Sequence, residues 1–143
     1  MTFQFLQRED VDKIVELFNE NFPDGWNKNM LLSAFDGGRY FGFCAFLGED
    51  LVGFIALSKG YDDCDLESIA VSPEHRRKGI AELLIKSAME KVKEFGLVAV
   101  LLEVRETNAP AIRLYEKVGF EKISVRKKYY SDGENAVVMK KEL

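Results

Sequence analysis

The sequence predicts a mixed α/β fold: one domain with a mostly antiparallel sheet of about six to seven strands and about four flanking helices. Three observations carry that expectation. Short apolar runs rich in aromatic and β-branched residues alternate with stretches whose apolar residues recur every three to four positions. Tight-turn residues join neighbouring runs, as antiparallel hairpins require. The 143 residues, 47% of them apolar, are enough for a single core, and no internal repeat or Pro/Ser-rich linker divides them. The expected domain spans residues 1–143.

The first strand is expected over residues 3–6. Val11, Ile14, Leu17 and Phe18 then recur at helical spacing, and a second short helix is expected over about residues 27–35. Residues 40–47 and 51–58 are apolar and aromatic-rich, and Gly48-Glu49-Asp50 joins them as a hairpin. Residues 65–71 form a further strand, ended by Ser72-Pro73. Ile80, Leu83, Leu84, Ser87, Ala88 and Val92 keep one face of the longest helix, until Gly96 supplies a stop. Residues 98–104 are almost continuously apolar, the pattern of a central strand covered on both faces, and Glu103 stands out among them. Asn108 can cap the next helix, Pro110 is tolerated in its first turn, and the helix ends before Gly119-Phe120. Two last strands, over residues 121–128 and 135–140, flank a turn containing Asp132-Gly133.

Charge and composition exclude several classes of function. With 24 acidic against 20 basic side chains the net charge is −4, which argues against direct nucleic-acid binding and favours a cationic partner. The opening residues have neither the basic start nor the apolar stretch of a secretory signal. The longest apolar runs, residues 97–102 and 43–47, fall far short of the ~20 residues that span a bilayer. A cytoplasmic protein with no membrane partner is therefore expected. Cys44 and Cys64 lie in contexts unlike a metal knuckle or a redox pair, so buried or idle thiols are expected.

The segment Val71-Ser72-Pro73-Glu74-His75-Arg76-Arg77-Lys78-Gly79-Ile80-Ala81 is the most informative one. A strand ends, a basic loop follows and a helix begins. A helix N-terminus carries about half a positive charge and prefers acidic neighbours, so Arg76, Arg77 and Lys78 raise a repulsion there that a bound phosphate relieves. Gly79 lets the backbone approach such a group, the free N–H groups of the first turn point at it, and small Ala81 keeps the approach open. A solvated basic loop, or a cluster that faces a carboxylate elsewhere in the fold, is the competing reading of the charge pattern alone. His75, the only histidine, reads as an exposed loop residue.

Arg76-Arg77-Lys78-Gly79-Ile80-Ala81 resembles the Gln/Arg-x-x-Gly-x-Gly/Ala pyrophosphate loop of the GNAT acetyltransferases, and the order of elements is similar to that fold. Leu102-Glu103-Val104-Arg105-Glu106-Thr107-Asn108 and the block from Ala111 to Phe120 look like the RimI-type ribosomal-protein alanine N-acetyltransferases of bacteria. The resemblance implies acetyl-coenzyme A as cosubstrate, no metal, and a protein or peptide N-terminus as acceptor, with a ribosomal protein beginning with alanine as the leading case. It implies that the backbone of Ile69, Ala70 and Val71 pairs with the pantetheine arm, and that Arg77, Lys78, Gly79, Ile80, Ala81 and Glu82 hold the pyrophosphate beside Arg76. Asn108 would contact the coenzyme, Glu103 would be general base and Tyr115 general acid. Two departures stand out. Asp24 and Gly25 separate Pro23 from Trp26, residues usually adjacent in the family, and Glu67 occupies a usually apolar position.

Each residue also has a plainer reading. Glu103 could pair with Arg105, two positions on along the same strand face. Asp65 and Glu67 share a face of the preceding strand and are rival bases. Tyr115 could be a half-buried core aromatic, and Asn108 can be cap and ligand together. Trp26, Tyr129 and Tyr130 are aromatic residues near turns that could clamp a peptide or simply pack. The oxyanion would meet a backbone N–H near Val71. Two other functions compete with acetylation of a protein N-terminus. One is acetylation of a small amine such as a polyamine, aminoglycoside or amino acid. The other is a non-catalytic acyl-coenzyme A-binding module.

Overall fold

The computed structural model describes residues 1–21 and 28–143. Its elements are β1 (Thr2–Phe5), α1 (Val11–Asn21), α2 (Lys28–Asp36), β2 (Tyr40–Leu47), β3 (Asp50–Lys59), β4 (Asp63–Val71), α3 (Ile80–Glu94), β5 (Ala99–Arg105), α4 (Ala109–Lys117), β6 (Glu121–Arg126) and β7 (Ala136–Glu142). Among the described residues the strands form one sheet in the order β1-β2-β3-β4-β5-β7-β6. Every neighbouring pair is antiparallel except β4 and β5. The expected α/β class, strand number and helix number therefore hold.

Alternation along the strands sends side chains into two cores, one on each side of the sheet. Val11, Ile14 and Leu17 of α1 and Leu31 of α2 pack on Cys44, Phe46, Phe54, Ala56 and Ala70. On the opposite side Ile80, Leu84, Ile85, Ala88, Met89 and Val92 of α3 pack on Ile55, Leu57, Cys64, Leu66, Val100 and Leu102. Leu84 is fully buried there, and truncating such a residue to Ala costs ~2–5 kcal/mol. Gly96, at φ 77°, ends α3 as expected. Both cysteines are buried, and burial raises both thiol pKa values, that of Cys64 to about 12.

β5 departs from its expected environment. Val100, Leu102 and Val104 are buried against α3 and α4, but Leu101 and Arg105 are only half-buried and Glu103 is exposed. Its second face is therefore not covered by a helix. The reason is how β4 and β5 meet: their parallel pairing lasts only from Asp63↔Ala99 to Asp65↔Leu101. Just beyond, Glu67 is an extra residue in β4, since Leu66 pairs with Leu57 and Ser68 with Ala56. A bulge bends its strand and increases the local twist, so β4 and β5 diverge from this point. On its other side β5 pairs with β7 along its whole length, to Arg105↔Ala136. Among the described residues no helix is long and apolar enough to cross a membrane.

Candidate active site

The splayed strands open a cleft of about 1180 Å³. Residues 66–71 of β4 form one wall and residues 102–105 of β5 the other. Toward β3, β4 stays paired through Ile55↔Ile69, Phe54↔Ala70 and Gly53↔Val71. Toward β5 its pairing has already stopped, so Ile69, Ala70 and Val71 turn an unpaired backbone edge to the cleft. An extended ligand arm can add to such an edge as a further strand.

One end of the cleft is built by the loop before α3. His75, Arg76, Arg77, Gly79, Ile80, Ala81 and Glu82 line it, whereas Lys78 does not. Arg77 and Gly79 both have left-handed backbone, at φ 64° and 76°. No side chain caps the N-terminus of α3, so its first-turn N–H groups are available to an anion. The space a Cβ would enter at Gly79 is open, so the left-handed φ, rather than close packing, explains the glycine. Arg76 is already committed, with its guanidinium donating to the Asn21 side chain and, at 3.4 Å, to the Val71 carbonyl. Glu82 does not oppose an anion with a bare charge. Hydrogen bonds from Lys117 (3.1 Å) and Lys86 (3.2 Å) hold its carboxyl below the usual range. His75 is half-buried and sits 3.2 Å from the Ser72 hydroxyl, not fully exposed as its loop position suggests.

On the β5 wall, Glu103 and Arg105 do not pair with each other. Arg105 donates to Asp132 at 2.8 Å and Glu134 at 2.6 Å, and its guanidinium stacks on Tyr130 at 4.1 Å. Glu103 instead faces the Tyr129 hydroxyl, whose pKa its carboxylate raises, and Arg126 lies 3.8 Å away. Tyr129 and Tyr130 meet edge to face at 5.1 Å, but only Tyr130 lines the cleft. The connection between β6 and β7 thus folds over β5 and brings its aromatic residues to the carboxylate.

Helix α4 supplies the remaining wall. Asn108 caps it, its side chain accepting from the Ala111 N–H at 3.2 Å, and also lines the cleft. Tyr115 is 8% exposed, packs on Phe120 and reaches the cleft. Burial, and secondarily the charge of Tyr130, push its pKa up to about 12. It therefore keeps its proton at neutral pH and can act as a hydrogen-bond donor.

One arrangement beside the cleft is not evident from local pattern. Ser58 is buried, at 5% exposure, and its hydroxyl donates to Glu67 Oε1 at 2.7 Å. Asp65 lies on the same face, opposite Ser58. Burial, then the charges of Glu67, Asp63 and Glu103, hold the Asp65 carboxyl above its ordinary range, with Arg39 opposing. A lone serine in an apolar strand gives no local signal of this contact. Trp26 lies outside the described residues.

Residues 11–120 match the family model described as the Acetyltransferase (GNAT) family. The chain is 32% identical to an N-alpha-acetyltransferase of Saccharolobus solfataricus, over 99% of this chain and 93% of that protein. It is also 32% identical to the [ribosomal protein bS18]-alanine N-acetyltransferase of Escherichia coli strain K12, over 96% and 95%. The crystal structure of the ribosomal-protein-S18-alanine N-acetyltransferase from Escherichia coli superposes with a TM-score of 0.88 at 29% identity, covering 99% of this chain and 92% of that one. Ard1 from Thermoplasma volcanium superposes equally well, with a TM-score of 0.88 at 25% identity. The family model matches most of the chain, relatives and fold agree over nearly all of it, and it belongs to the GNAT family as an acetyl-coenzyme A-dependent N-acetyltransferase.

Proposed function

We propose that the chain transfers the acetyl group of acetyl-coenzyme A to the N-terminal α-amine of a protein, with a ribosomal protein beginning with alanine as the leading candidate. The relatives named as N-alpha- and ribosomal-protein alanine acetyltransferases support the acceptor class. The observation that carries the mechanism is the placement of Glu103 on the cleft wall opposite the unpaired edge of β4.

The cleft suits the coenzyme in three ways. The edge of Ile69, Ala70 and Val71 fits an extended arm carrying amides. The uncapped first turn of α3, with Gly79, Ile80, Ala81 and the Glu82 backbone, fits a pyrophosphate, and Arg77 adds charge. Asn108 stands beside the path between them. When bound, the coenzyme supplies an activated thioester. A backbone N–H near Val71 would then polarise its carbonyl oxygen.

Glu103 would take the proton from the attacking amine, directly or through water. An α-amine asks little of that base. It titrates near 7.7–8.0, so roughly a tenth is neutral at pH 7, whereas a lysine amine near 10.4 must give up ~4.6 kcal/mol. Tyr115 would donate a hydrogen bond to the departing sulfur. With its own pKa up at about 12, it is a weaker acid than a thiol near ~8.5, so it stabilises the thiolate without surrendering its proton.

Free-thiol release from acetyl-coenzyme A tests the acceptor class. An alanine-starting peptide, the same peptide with a blocked N-terminus, and spermidine are the acceptors. Release with the open peptide alone is expected. Release with spermidine alone would place the enzyme among small-amine acetyltransferases. Coenzyme binding with no release for any amine would identify a binding module instead.

A further inference from the structure

Glu67 carries a charge that the described protein leaves without a counter-ion. Its Oε1 accepts from the buried Ser58 hydroxyl, but none of the ion pairs among the described residues includes it. Glu103, across the cleft, differs: Tyr129 and Arg126 attend it. Asp65 adds a further carboxyl on the Glu67 side, where, among the described residues, Arg39 is the cation that opposes it. A negative field therefore gathers where β4 and β5 part, at the end of the cleft away from Arg76 and Arg77.

A second observation lies one residue on. The Ser68 hydroxyl is buried and has no hydrogen-bond partner among the described residues, and Ser68 lines the cleft next to Glu67. Glu67 is the extra residue of the bulge, and it and Ser68 both lie on the wall that residues 66–71 of β4 present to the cleft. A buried hydroxyl without a partner is uncommon and costly. A cationic group with several N–H donors satisfies both that oxygen and the Glu67 carboxylate. The reacting amine gives up its positive charge before it attacks, so it does not keep Glu67 paired through the reaction, whereas a second cationic group on the acceptor does.

We propose that Glu67, held in place by Ser58, binds a second positive charge on the acceptor. The enzyme then selects protein N-termini that carry Lys or Arg close behind the acetylated residue. This rests on the α-amine reading above. Charge complementarity discriminates between partners more than it raises affinity for any one of them.

The test uses three peptides that begin with alanine and carry two Lys, two Gln or two Glu at the next positions. Wild type, Glu67→Gln, Glu67→Lys and Ser58→Ala are compared with each. Wild type should prefer Lys over Gln and Gln over Glu by about fivefold per step in kcat/KM, mainly through KM and less so at high salt. Glu67→Gln should flatten that order and Glu67→Lys should reverse it. Ser58→Ala keeps the carboxylate but frees it, so it should narrow the order without abolishing it. Equal use of all three peptides by wild type would overturn the proposal and leave α-amine acetylation standing. So would a Glu67→Gln enzyme that slows on all three with the order intact, which would make Glu67 part of the proton path. Failure of wild type to acetylate any of the peptides would remove both readings together.

Discussion

Arg105 binds Glu134 at 2.6 Å rather than Glu103, its neighbour two positions back on the same face of β5. This choice of partner does two things at once. It ties the connection between β6 and β7 down over the cleft, and it leaves Glu103 to the Tyr129 hydroxyl and Arg126. Replacing Arg105 by Gln should therefore loosen residues 127–135 and the Tyr130 ring that Arg105 stacks on. We expect KM for a peptide acceptor to rise severalfold while the coenzyme dissociation constant stays near its wild-type value. Amide hydrogen exchange should accelerate in that connection and not in α3. An unchanged exchange pattern would mean that Arg105 does not hold the connection.

Tyr115 offers a cleaner separation of packing from chemistry. Phe in its place keeps the contact with Phe120 and removes only the hydroxyl. The melting temperature should hardly move. Loss of one hydrogen bond to a charged sulfur should lower kcat about tenfold, less than the ~10²–10⁴ that a positioned general base supplies. A loss as large as that of a base would mean that Tyr115 transfers its proton after all.

Gly79→Ala probes the anion end. Nothing among the described residues obstructs the added methyl, so the cost comes from the left-handed backbone at φ 76°, roughly 1–2 kcal/mol. The methyl also stands in the open space at the head of α3. Calorimetric titration with coenzyme A should show affinity lowered about tenfold, as for loss of a hydrogen bond to a charged group. Wild-type affinity in this variant would place the pyrophosphate elsewhere.

Alkaline pH should destabilise the protein. Burial raises Cys64 from 9.0 and Tyr115 from 10.0, each to about 12, and raises Cys44 as well. In each case the folded state holds a proton that the unfolded chain releases more easily. Their contribution is complete below pH 9 and is lost as pH climbs toward about 12, on the order of 1 kcal/mol per pH unit for each group. Urea midpoints measured from pH 8 to 11 should fall progressively, and Tyr115→Phe should shallow the decline above pH 10. A flat profile would show that these groups are not held protonated.

Much of this arrangement is legible in the sequence because it is local. Val11, Ile14 and Leu17 mark one helix face and Ile80, Leu84 and Ala88 another, and all six are buried. Gly48, Gly96 and Gly133 have positive φ at the turns and stop where they are expected. The basic loop, the helix start behind it and the Asn108 cap can likewise be read from residue types alone. Strand order cannot. Nothing local to residues 136–142 says that β7 inserts between β5 and β6, because pairing between distant segments is decided by the whole sheet. Arg105 shows the same limit: its nearest carboxylate along the strand is Glu103, but the fold brings Asp132 and Glu134 closer. The Glu67 bulge and its Ser58 clasp are also non-local, since one extra residue in β4 has meaning only against its register with β3.

The most direct measurement is the rate of acetyl transfer to an alanine-starting peptide by wild type and Glu103→Gln under saturating coenzyme and peptide. Gln preserves the shape and removes the proton-accepting carboxylate, so the comparison reports on proton abstraction. With Glu103 as base, kcat should fall at least about 10²-fold while coenzyme affinity is unchanged. A Glu103→Gln enzyme within about threefold of wild type would contradict that role and send the search for the base to β4, beginning with Asp65 and Glu67.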